Sequence, residues 1–191
     1  MPEGTYERYY ELGDAAKDKA KAFLSEAVMG DEIPFSPGKE ADAIRLVLSV
    51  DSDGVLKRSI DPESYKAAQD ALSEELLHSF RSLIALRMET AGLGEVSDDE
   101  IDALFEKEFG IGIAGYLEEY GPEMLPALEE LSGRFDATSR CRAEKSDLVF
   151  PDGTRIGYLL NDDLLVLQYA SGETEVYTKV KESRGEESDG T

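Results

Sequence analysis

The sequence predicts an α+β protein, an antiparallel β-meander in the C-terminal third packed against several α-helices, and leaves open whether the hairpin at 43–60 joins that sheet. Three observations lead there. Apolar residues recur at three- and four-residue steps through most of the first 136 positions, the period of a helix buried on one side. Beyond residue 136 the period shortens to two. The links between those later segments are short and rich in turn-formers, so successive strands run antiparallel as neighbours.

Residues 5–29 read as a helix. Tyr6, Tyr9, Tyr10, Ala16, Ala20, Phe23, Leu24, Ala27 and Val28 share its apolar side, Gly13 is a weak point and Gly30 a terminator. The three tyrosines seat that helix on its own core or offer anchors to a partner. Asp31 to Asp42 holds Pro34, Pro37 and Gly38 and reads as a loop, because proline fixes φ and removes a donor. Ala43–Val50 and Val55–Ile60 make a hairpin around Asp51-Ser52-Asp53-Gly54. Its alternation is imperfect, since Leu46, Val47 and Leu48 are adjacent.

Asp61-Pro62-Glu63 opens a second helix, as one rod or two joined near Ser73, ended by Gly92 and Gly94. Ser97-Asp98-Asp99-Glu100 spells a capping box for a third, closed by Gly110. A short helix over 111–120 follows. Another starts at Pro122 or Pro126, with Leu125, Leu128 and Leu131 inside and Gly133 at its end. Strands are then expected over 137–143, 148–150, 154–160, 164–169 and 173–180. The whole is expected to be a single α+β domain over 1–181, with its helical part about 1–136, its meander about 137–181, and 182–191 a disordered tail.

Charge is the largest departure from an average chain. Asp and Glu number 42 against 20 Lys and Arg, a net charge of −22. Residues 95–130 alone carry twelve acids and one base, Lys107. Adaptation to salt would acidify a surface evenly; this concentration points to one acidic face. Such a field repels free nucleic acid and anionic membrane and attracts a basic protein. No leader pattern is seen at the N-terminus, and no run approaches the roughly 18 apolar residues that cross a bilayer. With one cysteine, Cys141, no internal disulfide can form, in keeping with a cytoplasmic location.

The inventory for chemistry is thin. His78 is the sole histidine and sits on a helix, at the edge of the core. Gly110, Gly112 and Gly115 spell a dinucleotide-binding string, but after a predicted helix instead of a strand. Asp51-Ser52-Asp53-Gly54 echoes part of a calcium loop but lacks its final glutamate. Arg140, Arg142 and Lys145 are the nearest thing to a basic patch. No catalytic residue, metal ligand or cofactor is expected. The leading expectation is a non-enzymatic binding protein docking on a basic partner through Asp98, Asp99, Asp102, Glu106, Glu118, Glu119, Glu123, Glu129 and Glu130. Its sharper form is inhibition of a nucleic-acid-binding protein by phosphate mimicry, as an inhibitor or immunity protein. The alternatives are an adaptor subunit of a larger assembly and a metal-dependent enzyme.

Overall fold

The computed structural model describes residues 1–28, 35–38, 41 and 43–181, without the side chains of 27 and 28. The expected terminator Gly30, Pro34 and most of the 31–42 loop, and the tail 182–191 lie outside the described residues. Two compact units form. One gathers Met1–Tyr9, Arg45–Asp61 and Leu131–Thr191, the other Tyr10–Ile44 and Pro62–Glu130. Five helices and nine strands are found among the described residues, the strands in one antiparallel sheet, so the fold is α+β as the periodicities predict.

The first unit carries the sheet. Its strands are β1 (Gly4–Glu11), β2 (Ala43–Val50), β3 (Val55–Ile60), β4 (Ala137–Arg140), β5 (Arg142–Glu144), β6 (Asp147–Val149), β7 (Arg155–Asn161), β8 (Leu164–Gln168) and β9 (Thr174–Lys179). They lie in the order β4-β3-β2-β1-β9-β8-β7-β6-β5, so the 43–60 hairpin does join the C-terminal meander. The expected helix over 5–29 is corrected here. Its first part is β1, which links hairpin and meander by pairing Tyr6 with Lys179 and Glu7 with Thr178. Tyr6 is fully buried while Tyr9 is 62% exposed, which the shared helical face does not allow. Gly13, at φ +70°, turns the chain before the helix begins at Ala15. Pairing in the middle of a sheet outweighs a three-residue spacing of tyrosines, which are themselves good strand formers.

Along β2 every second side chain is buried, Leu46, Leu48 and Val50 among them, with Val47 only half-buried between. Leu48 and Val50 meet Tyr6, Leu56, Leu148, Leu165, Leu167 and Tyr177 in the sheet's interior. The expected strand 137–143 is two, broken at Cys141. Its first half pairs with β3 (Val55 opposite Arg140) and its second with β6 (Arg142 opposite Val149). Both ends of the strand order therefore meet at one residue, and the sheet curls nearly into a barrel.

The second unit is helical. In α1 (Ala15–Val28) the buried residues Ala16, Ala20 and Leu24 recur at four-residue steps. The next helix, α2 (Pro62–Thr90), is one unbroken rod whose Ala68, Leu72, Leu76, Phe80 and Leu83 are buried. It ends at Gly92, whose φ of +80° lets Leu93 donate its N–H to the Met88 carbonyl at 3.0 Å. Two shorter helices follow, α3 (Asp98–Phe109) and α4 (Ile113–Tyr120). The last helix, α5 (Leu128–Phe135), begins in this unit, and its residues from Leu131 on belong to the first. It starts later than expected, leaving buried Leu125 at a bend ahead of it, and it runs through Gly133 because Phe135 is buried and seats one more turn.

Candidate interaction face

The acidic segment is shaped by its caps. Ser97 accepts the Glu100 N–H, and the Glu100 carboxylate accepts the Ser97 N–H at 2.9 Å. That bond and the Ser97 hydroxyl hold the Glu100 carboxyl below its usual range. Glu100 therefore serves its own helix, and Asp98 and Asp99 lie in the first turn, where the helix dipole favours anions. Gly110, at φ +78°, closes α3, and Gly112 opens α4. The glycine string is thus a joint between helices.

That joint turns the two helices face to face. On α3, Asp98, Asp102, Phe105, Glu106 and Phe109 recur at three- and four-residue steps and form one stripe. On α4, Tyr116 and Tyr120 do the same. The Tyr116 ring lies 5.1 Å from Phe105 and 6.0 Å from Phe109. Phe105 stacks on Phe109 at 4.4 Å, and Tyr116 meets Tyr120 at 5.0 Å. Phe80, buried on α2, touches both Phe105 and Tyr116 and roots these rings in the core.

The nine expected carboxylates divide around this scaffold. Asp98, Asp102, Glu106 and Glu119 flank the ring stripe. Asp102 is half-buried and bonds Arg81 of α2 through both oxygens. That bond holds the Arg81 guanidinium above its ordinary value, and the charges of Asp98 and Asp99 add to the effect. Asp102 is therefore already partnered. The Glu119 carboxylate beside Tyr120 pushes that phenol up. Glu118 and Glu123 border a different feature, a cleft of about 340 Å³ between α2 and the 121–127 segment, floored by Leu72, Leu117 and Leu125. Lys19 donates to the Glu123 carbonyl at 2.8 Å and steadies that segment. Glu129 and Glu130 stand apart, in the first turn of α5. Apart from Asp102, all nine are exposed, and among the described residues none of those eight forms an ion pair.

The other candidates resolve locally. Asp51 accepts the N–H groups of Asp53 and Val55, so the calcium-loop echo is a hairpin turn. Arg142 pairs with Glu144 at 2.7 Å, which also holds Arg155, so the basic patch is partly neutralised. His78 is exposed on α2. Cys141 is buried, and burial pushes its thiol up, away from reactivity. Among the described residues no three His, Cys, Asp or Glu side chains gather as a metal site does.

One cluster escaped the sequence reading. Inside the sheet the Glu175 carboxylate accepts Arg8 at 2.6 Å, Tyr169 at 2.5 Å and Tyr177 at 3.1 Å, with Arg58 at 3.6 Å. Burial, then Glu175, drives the Tyr169 phenol well above its ordinary range. Tyr177, two residues after Glu175 on the same face of β9, is the signal the sequence offers, while Tyr169 comes from across the preceding turn. The arginines come from β1 and β3, which only the strand order brings near.

No family model, curated protein or solved structure matches this chain. No helix among the described residues is long and apolar enough to cross a membrane.

Proposed function

We propose that this chain is a non-enzymatic binding protein of the cytoplasm whose α3–α4 face docks on a basic partner protein. The observation that carries the reading is the disposition of Asp98, Asp99, Glu106 and Glu119: exposed, without ion pairs among the described residues, and held by capped helices beside a rooted ring stripe. Along α3 the free carboxylates Asp98 and Glu106 stand two turns apart, about 12 Å along the helix axis, with Asp102 between them held by Arg81. Unpaired carboxylates fixed on capped helices suit a surface built to follow a phosphate backbone. The sharper proposal is therefore a nucleic-acid-binding partner, inhibited by occupation of its groove.

The test is capture of a basic partner by the immobilised full chain at about 0.05 M salt and again at about 1 M, where screening shortens to roughly 3 Å. Capture should be lost at high salt and in the variant Asp98→Asn, Asp99→Asn, Glu106→Gln, Glu119→Gln, with helical content unchanged. Asp102 is spared because its removal would strand Arg81. Capture that ignores both salt and the four substitutions would remove the reading.

A second reading, an adaptor subunit, is favoured by one feature of the sheet. Leu159, Val166 and Val176 stand opposite one another across β7, β8 and β9, with Leu159 63% and Val176 51% exposed. Light scattering of the wild type against Val176→Lys tests it: an assembly dissolved by the substitution supports the adaptor.

A further inference from the structure

The rings of the α3–α4 face continue outward past the core. Phe80 is buried, Phe105 and Tyr116 are half-buried, and Phe109 and Tyr120 stand 62% and 56% exposed at the end of one chain of ring contacts. Two large rings fixed from beneath and open above are preorganised contact surface, since little side-chain freedom is lost when a partner covers them. Contiguous exposed apolar surface of this kind marks interaction sites.

We infer that Phe109 and Tyr120 receive arginine side chains of the basic partner; the inference rests on the docking reading above and specifies its chemistry. The neighbours of the rings select the occupant. Glu106 lies one helical turn before Phe109, and Glu119 stands beside Tyr120 on α4. A purely apolar partner covering the rings would bury these carboxylates unpaired. Lysine would satisfy them, but its ammonium is a compact, strongly hydrated charge without a flat face to lay on a ring. Arginine meets both demands at once. Its guanidinium stacks on an aromatic face while its fork of N–H groups bonds a carboxylate beside that face. The net −11 of residues 95–130 supplies the long-range attraction, and the rings supply the discrimination between the two basic side chains.

The experiment uses the full chain and two labelled peptides of equal length and charge, one with arginines and one with lysines at alternate positions between glycines. Their affinities are read by fluorescence anisotropy at low salt. The arginine peptide should bind about five- to tenfold more tightly. Phe109→Leu and Tyr120→Leu, each checked for helical content, should bring that ratio towards one while leaving the lysine peptide unchanged. Tyr120→Phe, which keeps the ring, should preserve it. Because the two ring variants lie on different helices, misfolding of one leaves the other to decide. Equal affinities in the wild type, or a preference untouched by both leucine variants, would overturn the arginine inference while leaving electrostatic docking in place. Failure of both peptides to bind would overturn the docking reading itself.

Discussion

Cys141 donates its backbone N–H to the Gly54 carbonyl at 2.7 Å, and its own carbonyl occupies the space a Cβ on Gly54 would need. This contact joins the tip of the β2–β3 hairpin to the single residue between β4 and β5. Gly54 has a second reason to lack a side chain, a φ of +77°. Gly54→Ala should therefore lower stability by about 2–4 kcal/mol, combining left-handed strain with displacement of backbone. Urea unfolding measures it; a loss under about 0.5 kcal/mol would mean the hairpin tip yields freely.

Glu175 accepts from Arg8 and two phenols and pairs with Arg58 at 3.6 Å, and its side chain is only 15% exposed. Glu175→Ala leaves those donors inside without their acceptor and should cost about 3–5 kcal/mol. Glu175→Gln keeps one acceptor oxygen and should cost clearly less. Equal losses for both, read by chemical denaturation, would contradict the network's role.

The same cluster sets an alkaline limit. Tyr169 is raised by burial and then by Glu175; Tyr177 is likewise raised by burial first, and Tyr6 by burial alone. In the unfolded chain these phenols ionise near pH 10. Above that pH the unfolded state binds fewer protons than the folded one, so stability falls as pH rises. The contribution is complete below about pH 10 and is lost progressively above it. Tyrosinate absorbance should rise together with loss of structure, and Tyr169→Phe should flatten the decline in stability. A decline of unchanged slope in that variant would place the effect elsewhere.

At the acidic face, Ser97→Ala removes one half of the capping box and should cost about 1 kcal/mol. Asp102→Asn should destabilise the helical unit more than Asp98→Asn, because only Asp102 is bonded to Arg81. Thermal unfolding of the three variants by circular dichroism supplies the comparison. An Asp98→Asn variant as damaging as Asp102→Asn would mean that Asp98 too is structural.

Local signals explain what the sequence made legible. The capping box at Ser97, the Gly110 closure and the Asp51–Gly54 turn each rest on residues a few positions apart, and each stands as read. The strand β1 was misread because its tyrosines fit a helical spacing and its true partner, β9, lies some 170 residues away. The late start of α5 and its passage through Gly133 depend on burial of Phe135, which no local rule specifies. At the acidic face, composition located the carboxylates but could not divide them. The bond that occupies Asp102 comes from α2, and the exposed rings differ from core rings only in what covers them.

Pairing β1 with β9 also orders events during synthesis. The unit holding the sheet is assembled from three stretches of chain, and the segments of the helical unit are made between them. A nascent chain can thus complete the four helices α1 to α4 while β1 still awaits β9 and β3 still awaits β4. Only when β9 leaves the ribosome does the first strand acquire its second hydrogen-bonding partner. Until then β1 presents an open edge, at which mispairing during synthesis can occur.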